Sequence, residues 1–438
     1  MELWEQYRDQ FPVTKNLIYL NHAAVAPLDV VPLDFRLGNL PLAYAGYLGK
    51  FFWPANLAVF YPRPTVLLIP RVAVAALILL VISAAAWRWR KSRPYFLVGW
   101  LWFVGMLVPV SGLVQVGGAA MADRYTYLPL VGVFIAVTFA AAEIAARFPA
   151  TRRFFCAGAI VILAGCILAA EKQLTFWKNS EALFRHDLDV AEDNDVAHND
   201  LGLVLEERGD WAGALDQFQA AIRVAPKQAV THNNLGNLLD KLGQPDAALA
   251  EHRAAIALQP EAPDLHTSAG NELTLLGQFH AALDEFATAK NLDPQLPQPH
   301  VGIARVCFKL GRDGAGVEEF RAALQLAPND FQILAEAARY LASNENAGAR
   351  DGQSALALAR RANEISGHRQ PVAFDALGMA LAENGDFTNA VTCAQNALDL
   401  AMAAKLQRLE RLCRRLELYQ NHQPWRENFR ATNAPAKN

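Results

Sequence analysis

The apolar positions of this chain follow two different rules on either side of residue 170. Upstream they run together: residues 66–86, 95–110, 128–142 and 154–170 are nearly unbroken hydrophobic stretches. A helix needs about 20 such residues to cross a bilayer core, so the pattern predicts about four membrane helices. The second and third are short, and the first carries Arg71 near its start. Downstream, the pattern has a long fixed period. Gly209, Gly243, Gly277 and Gly311 fall 34 residues apart, and Pro226, Pro260, Pro294 and Pro328 keep the same step. Such a period predicts a helix pair per unit, too small to bury its own apolar face and stacked on its neighbours into an all-α solenoid.

Counting each glycine as position fifteen sets the register. Repeat one, 195–228, carries Leu201, Gly202, Gly209, Ala214, Phe218, Ala221 and Pro226. Repeat two, from 229, carries Leu235, Gly236, Gly243, Ala248, Ala255 and Pro260. Repeats three and four continue with Gly270, Ala282, Phe286 and Ala289, then Ala304, Gly316, Phe320 and Ala323. Small residues let the two helices approach, phenylalanine fills the space between repeats, and proline ends the second helix. Position by position this resembles the tetratricopeptide repeat (TPR) family, which implies a concave face able to hold a protein or peptide. A fifth unit near 331–366 has an insertion at 344–351, and a sixth spans about 371–404. Residues 177–188 read as a lone helix that begins the stack, and the amphipathic 403–419 as its cap. The expected organisation is an appended segment 1–34, a membrane region 35–170, a TPR solenoid 171–422 and a flexible tail 423–438.

Charge adds an orientation. Arg88, Arg90, Lys91 and Arg93 lie between the first two apolar stretches, and Arg147, Arg152 and Arg153 between the last two. Basic short loops stay cytoplasmic, which predicts a multi-pass protein of a bacterial inner membrane with its TPR half extracytoplasmic, in the periplasm. A formal net charge of −3 over 438 residues gives no polyanion-binding signal, and no nucleic acid partner is expected. The five cysteines show no paired metal spacing. His198, His232, His266 and His300 recur at position four, but stacked repeats hold equivalent positions roughly 8–10 Å apart. A zinc ion needs its ligands about 2 Å away, so these histidines are read as packing or groove-edge hydrogen bonds and no metal or other cofactor is expected.

Two further motifs carry resemblances. Tyr47-Leu-Gly-Lys-Phe-Phe-Trp-Pro-Ala-Asn-Leu-Ala-Val-Phe-Tyr-Pro and Gly112-Leu-Val-Gln-Val-Gly-Gly-Ala-Ala-Met-Ala-Asp-Arg-Tyr-Thr-Tyr-Leu-Pro resemble the transmembrane-and-TPR O-mannosyltransferases and their bacterial relatives. That resemblance implies a polytopic glycosyltransferase fold using a lipid-linked sugar. The family's catalytic acidic residue sits on the first extracytoplasmic loop of an N-terminal set of spans, which nothing before residue 66 supplies. The chain therefore resembles the C-terminal part of such a protein, and catalysis by it alone is not expected. Arg124 is the candidate for the phosphate of a membrane lipid carrying the sugar, with Asp123 beside it; the other reading pairs Arg124 with Asp123 to position a turn. Phe11-Pro-Val-Thr-Lys-Asn-Leu-Ile-Tyr-Leu-Asn-His-Ala-Ala-Val-Ala-Pro resembles the opening of class V aminotransferases. Membrane sequence follows where their large α/β domain would begin, so no pyridoxal phosphate is expected.

The candidate site residues sit on the first helix of each repeat. Asn199 and Asn233 occupy position five, Asp200 and Asn234 position six, and Asn237 and Asn271 position nine. Repeat four departs with Arg305 and Lys309. Asparagine both donates and accepts, which suits an extended peptide backbone; the same residues would equally make a solvated polar face. Two functions follow: a membrane-anchored scaffold presenting a TPR groove, or a truncated or partner-dependent glycosyltransferase relative that moves sugar from a polyprenyl-phosphate donor to Ser or Thr.

Overall fold

Helix starts and stops along the second half follow directly from the periodic residues. The first helix of each of repeats one to four ends in a glycine in the left-handed region: Gly209 (φ +80°), Gly243 (+75°), Gly277 (+74°) and Gly311 (+72°). A side chain there would be strained, and the turn lets the following N–H reach back five residues, as from Asp210 to the Leu205 carbonyl at 2.9 Å. The prolines fall just beyond the second helices.

The computed structural model describes residues 33–431 apart from 55–56, 63–67, 111–120, 122, 192, 405 and 407–408. The side chains of Leu33, Asp34, Arg124 and Arg152 also lie outside it, as do nearly all of the 1–34 segment, with its aminotransferase-like motif, and residues 432–438. Among the described residues there are nineteen α-helices and no strands. They fall into two compact units, Met1–Leu238 and Leu239–Asn438.

The first unit begins with α1 (Leu33–Phe52), α2 (Ile69–Arg88), α3 (Pro94–Leu107), α4 (Tyr127–Arg147) and α5 (Arg152–Phe176). Among the described residues each of the four apolar stretches forms a helix, but only α2, α4 and the 149–176 segment are long and apolar enough to cross a membrane. α3 with its 3-10 extension is a shorter apolar helix, 94–110. α5 shows apolar side chains all round, Ile160, Val161, Ile162 and Leu163 among them, as a helix surrounded by lipid would. α3 and α4 cross at Gly99 and Gly132, where a Cβ on either would strike the other's carbonyl. Tyr44, Tyr47, Trp100, Phe103 and Leu107 form the centre of this bundle.

The bundle has two chemically distinct ends. At one, Arg93 and Tyr95 both bond Glu143, at 2.8 and 2.6 Å, which brings the 89–93 loop beside the end of α4. Both arginine-rich loops therefore share that end. At the other, residues 57–61 cross from the bundle to the first helices of the solenoid: α6 (Ser180–Val190), α7 (Asp195–Glu207) and α8 (Trp211–Val224), followed by α9 (Ala229–Lys241), inside which the division between units falls.

The second unit continues with α10 (Pro245–Leu258), α11 (Pro263–Leu275), α12 (Phe279–Leu292), α13 (Pro297–Lys309), α14 (Asp313–Leu326), α15 (Phe331–Ser343), α16 (Gly352–Ile365), α17 (Pro371–Glu383), α18 (Phe387–Ala403) and α19 (Glu410–Gln420). Phe286 fills the space over Gly270 and Gly302, and Phe308 that over Gly316, so ring and glycine alternate through the core. The insertion at 344–351 lines, together with α14 and α16, a cleft of about 910 Å³ with Phe320, Leu324 and Leu358 in its wall. α19 caps the stack with Tyr419 buried. After it the chain reverses at His422 (φ +60°), and residues 423–431 return along α13 and α15, the first (A) helices of repeats four and five, instead of forming the expected flexible tail. Their apolar and charged side chains find partners there, as detailed next.

Candidate functional site

Five of the six Asn and Asp candidates lie in the first unit, and they divide. Asn199 and Asp200 are buried: the Asn199 amide donates to Asp200 Oδ1 at 3.1 Å and accepts from Asn234 Nδ2 at 2.9 Å. These three form a hydrogen-bonded chain linking α7 to α9, which leaves Asn199 and Asp200 little surface for a ligand. Asn233 is half-buried and Asn237 exposed, one helical turn apart on the same face of α9. In the second unit Asn271 is half-buried on α11 and Lys309 exposed on α13. Arg305 is held by Glu336 in two bonds of 2.6 Å, so its charge is already matched.

Three of the four position-four histidines bond inside their own repeats. His198 Nδ1 lies 2.8 Å from Gln217, His266 Nδ1 2.7 Å from Glu285, and His300 Nδ1 2.6 Å from Glu319, each tying the first helix to the second. The far nitrogens of His232 and His266 meet the Pro226 and Pro260 carbonyls. His198, His266 and His300 thus fasten the two helices of their own repeat, while His232 and His266 also reach back to the repeat before. Glu272 was not foreseen. It is buried at the place that Val204 and Val306 hold in their repeats, and burial, with the Asp240 charge added, pushes its carboxyl up to about 7. The sequence signal was a single acidic residue in an otherwise apolar column.

Asp123 lies at the end of the bundle that carries the solenoid. It pairs with Lys50 at 3.1 Å and accepts from the Tyr61 hydroxyl at 2.8 Å and the Ala58 N–H at 3.1 Å. Tyr61 also meets Lys50. Burial first, and the Asp123 charge second, raise the Tyr61 hydroxyl well above its ordinary range, so it stays a donor. The Arg124 side chain lies outside the described residues, so its candidate phosphate contact has no geometry here.

The other edge of the 57–61 segment is held by the solenoid. The Val59 N–H donates to Asp187 at 3.0 Å, Asn194 donates to the Phe60 carbonyl at 3.1 Å, and the His186 ring meets the Leu57 carbonyl at 3.0 Å. Asp187 is buried, and desolvation pushes its carboxyl up to about 7 against the opposing effect of the backbone donors. Two aspartates thus grip one extended segment from opposite sides.

A third arrangement lies on α13 and α15 of the second unit. Glu427 pairs with Arg339, whose Nε lies 3.0 Å away, and Phe429 is buried against Tyr340 with ring centroids 4.1 Å apart. Arg339 and Tyr340 sit at positions nine and ten of repeat five. Trp425 and Phe429, apolar residues in an otherwise polar terminus, were the overlooked sequence signal.

Paired helices in a 34-residue register, with polar residues on the first helix of each pair, make a TPR-like α-solenoid. Residues 192–261 match the Tetratricopeptide repeat family. Over 123 residues the chain is 28% identical to the Protein O-mannosyl-transferase Tmtc3 of Drosophila melanogaster, a stretch covering 28% of this chain. The chain spans only 13% of that protein's length. Among solved structures, the pilF protein of Pseudomonas aeruginosa is 18% identical, with 52% of this chain and 97% of that one covered at a TM-score of 0.41. YrrB, titled a TPR protein with an unusual peptide-binding site, is 16% identical, with 51% and 97% covered at a TM-score of 0.30.

Proposed function

We propose that this chain is a membrane-anchored protein that presents the A-helix faces of its TPR repeats to an extended peptide on the extracytoplasmic side of a bacterial inner membrane. The observation that carries this reading is the α9 face, where Asn233 and Asn237 stand one turn apart with side chains that reach solvent. Beside them the Asn199–Asn234 bond holds α9 in place. Two amides at that spacing can donate to and accept from a peptide main chain without selecting its side chains. The apolar surfaces of α2, α4 and α5 support the anchoring, and the shared end of the two basic loops supports the orientation.

The test is the pattern of proteins cross-linked to the full chain in native membranes. Replacing Asn233 and Asn237 by Ala removes two hydrogen-bonding groups, worth about 1–3 kcal/mol together. That is roughly a 5- to 150-fold loss of affinity, with helix content unchanged. A double variant that keeps every cross-linked partner would remove the groove reading.

A second reading is favoured by the similarity to Tmtc3: participation in glycosyl transfer from a polyprenyl-phosphate sugar to Ser or Thr of a protein held by the repeats. Arg124 would contact the donor phosphate there, next to the Asp123–Lys50–Tyr61 cluster. Membranes carrying Arg124→Ala that transfer such a sugar as well as wild type would exclude it.

A further inference from the structure

The segment 423–431 lies on its own repeats as an extended peptide would. Its main chain is bonded at intervals: the Glu427 N–H donates to the Ser343 carbonyl at 2.7 Å, the Glu427 carbonyl accepts from Glu345 at 3.0 Å, and the Ala431 N–H donates to the Lys309 carbonyl at 2.9 Å. Asn344 and Glu427 form a parallel bridge. Side chains alternate with a period of two, as an extended strand requires. Trp425, Glu427 and Phe429 turn inward, while Arg426, Asn428 and Arg430 are exposed. The inward residues meet matched chemistry. Arg339 takes the Glu427 carboxylate, with Arg411 3.9 Å away as a second cation. Phe429 enters an aromatic pocket of Phe308, Phe320 and Tyr340. Main-chain bonds with alternate side chains in pockets are the physics by which a folded surface reads an extended peptide.

We propose that the A-helix face of repeats four and five is a recognition site for an extended peptide bearing an acidic residue two positions before an aromatic one. Residues 427–429 of this chain are its built-in occupant. This deepens the proposed peptide-holding function and rests on it, while using different residues from α9. A partner must displace the tether, so binding there is gated. The occupant's local concentration is high because only a few residues separate it from α19, and a competing peptide is weakened accordingly.

The experiment uses the full chain with a protease site inserted after His422, and a fluorescein-labelled synthetic peptide of residues 424–431. Before cleavage the labelled peptide should bind at least tenfold more weakly than after cleavage, when the native segment can leave. Peptides carrying Glu427→Ala or Phe429→Ala should fail to exchange in, and so should the parent peptide on a chain carrying Arg339→Ala. Equal binding before and after cleavage, or none after it, would overturn the proposal. Loss of helix content on cleavage would also overturn it, because the segment would then be a part of the core and not a ligand. None of these results touches Asn233 and Asn237, so a failure of this site and a failure of the α9 face are read from different variants and told apart.

Discussion

Asp187 shows how a single side chain can make the docking of a segment depend on pH. Its carboxyl is buried against the 57–61 main chain and titrates near about 7, whereas in the unfolded chain it releases its proton at about 4. Between those values the folded state holds a proton that the unfolded state has lost. The stability it contributes is therefore complete below about pH 4 and declines as pH rises through 7, by at most about 4 kcal/mol. Asp187→Asn keeps an oxygen for the Val59 N–H and removes the titration. The detergent-solubilised full chain carrying this change should melt higher than wild type at pH 8 and little differently at pH 4. Equal melting at pH 8 would mean that the backbone donors already compensate the anion. Nothing in the sequence marked this residue, because its behaviour comes from a segment more than a hundred positions away. By contrast His198, His266 and His300 bond partners nineteen residues on, within a single repeat, and their 34-residue spacing was visible in the sequence though those partners were not foreseen.

Among helices, what was legible is what repeats. The glycine at position fifteen fixes the end of the first helix, and the proline closes the second, so the pairing of helices follows from the period. Tight approach follows too: at Gly270 a Cβ would fall 2.6 Å from the Phe286 ring. Gly270→Ala should therefore cost about 1–3 kcal/mol through overpacking, and Phe286→Ala about 3–5 kcal/mol through the cavity left. Combined with Phe286→Leu, which frees space, the Gly270→Ala penalty should shrink, a coupling that a double-mutant cycle in urea measures directly. Additive effects would show that the two residues do not share that space. The returning segment at 423–431 was not legible. Its period-two alternation is only a few residues long and binds a surface formed by repeats far upstream, so composition alone read it as a solvated tail.

At the scale of the chain, the two ends of the apolar bundle carry the information about orientation. Arg93 and Tyr95 bond Glu143, so the loops rich in Arg88, Arg90, Lys91, Arg147 and Arg153 gather at one end, while the Asp123 and Asp187 clamp on residues 57–61 marks the other. Moving several arginines across a bilayer is costly, so the basic end is expected in the cytoplasm and the repeats outside. Cysteine chemistry can check both ends in one preparation. Cys413 is an exposed thiol on α19 and Cys307 and Cys393 are buried, while Cys156 and Cys166 are exposed on the apolar α5 and are replaced by Ser in every variant compared. A membrane-impermeant maleimide should label Cys413 in intact spheroplasts, and Cys413→Ser should abolish that label. In the Cys413→Ser background, Ser92→Cys places a thiol in the basic loop, and it should react only after lysis. The reverse pattern, with Cys413 protected until lysis and the residue-92 thiol labelled at once, would invert the orientation and move the repeats into the cytoplasm.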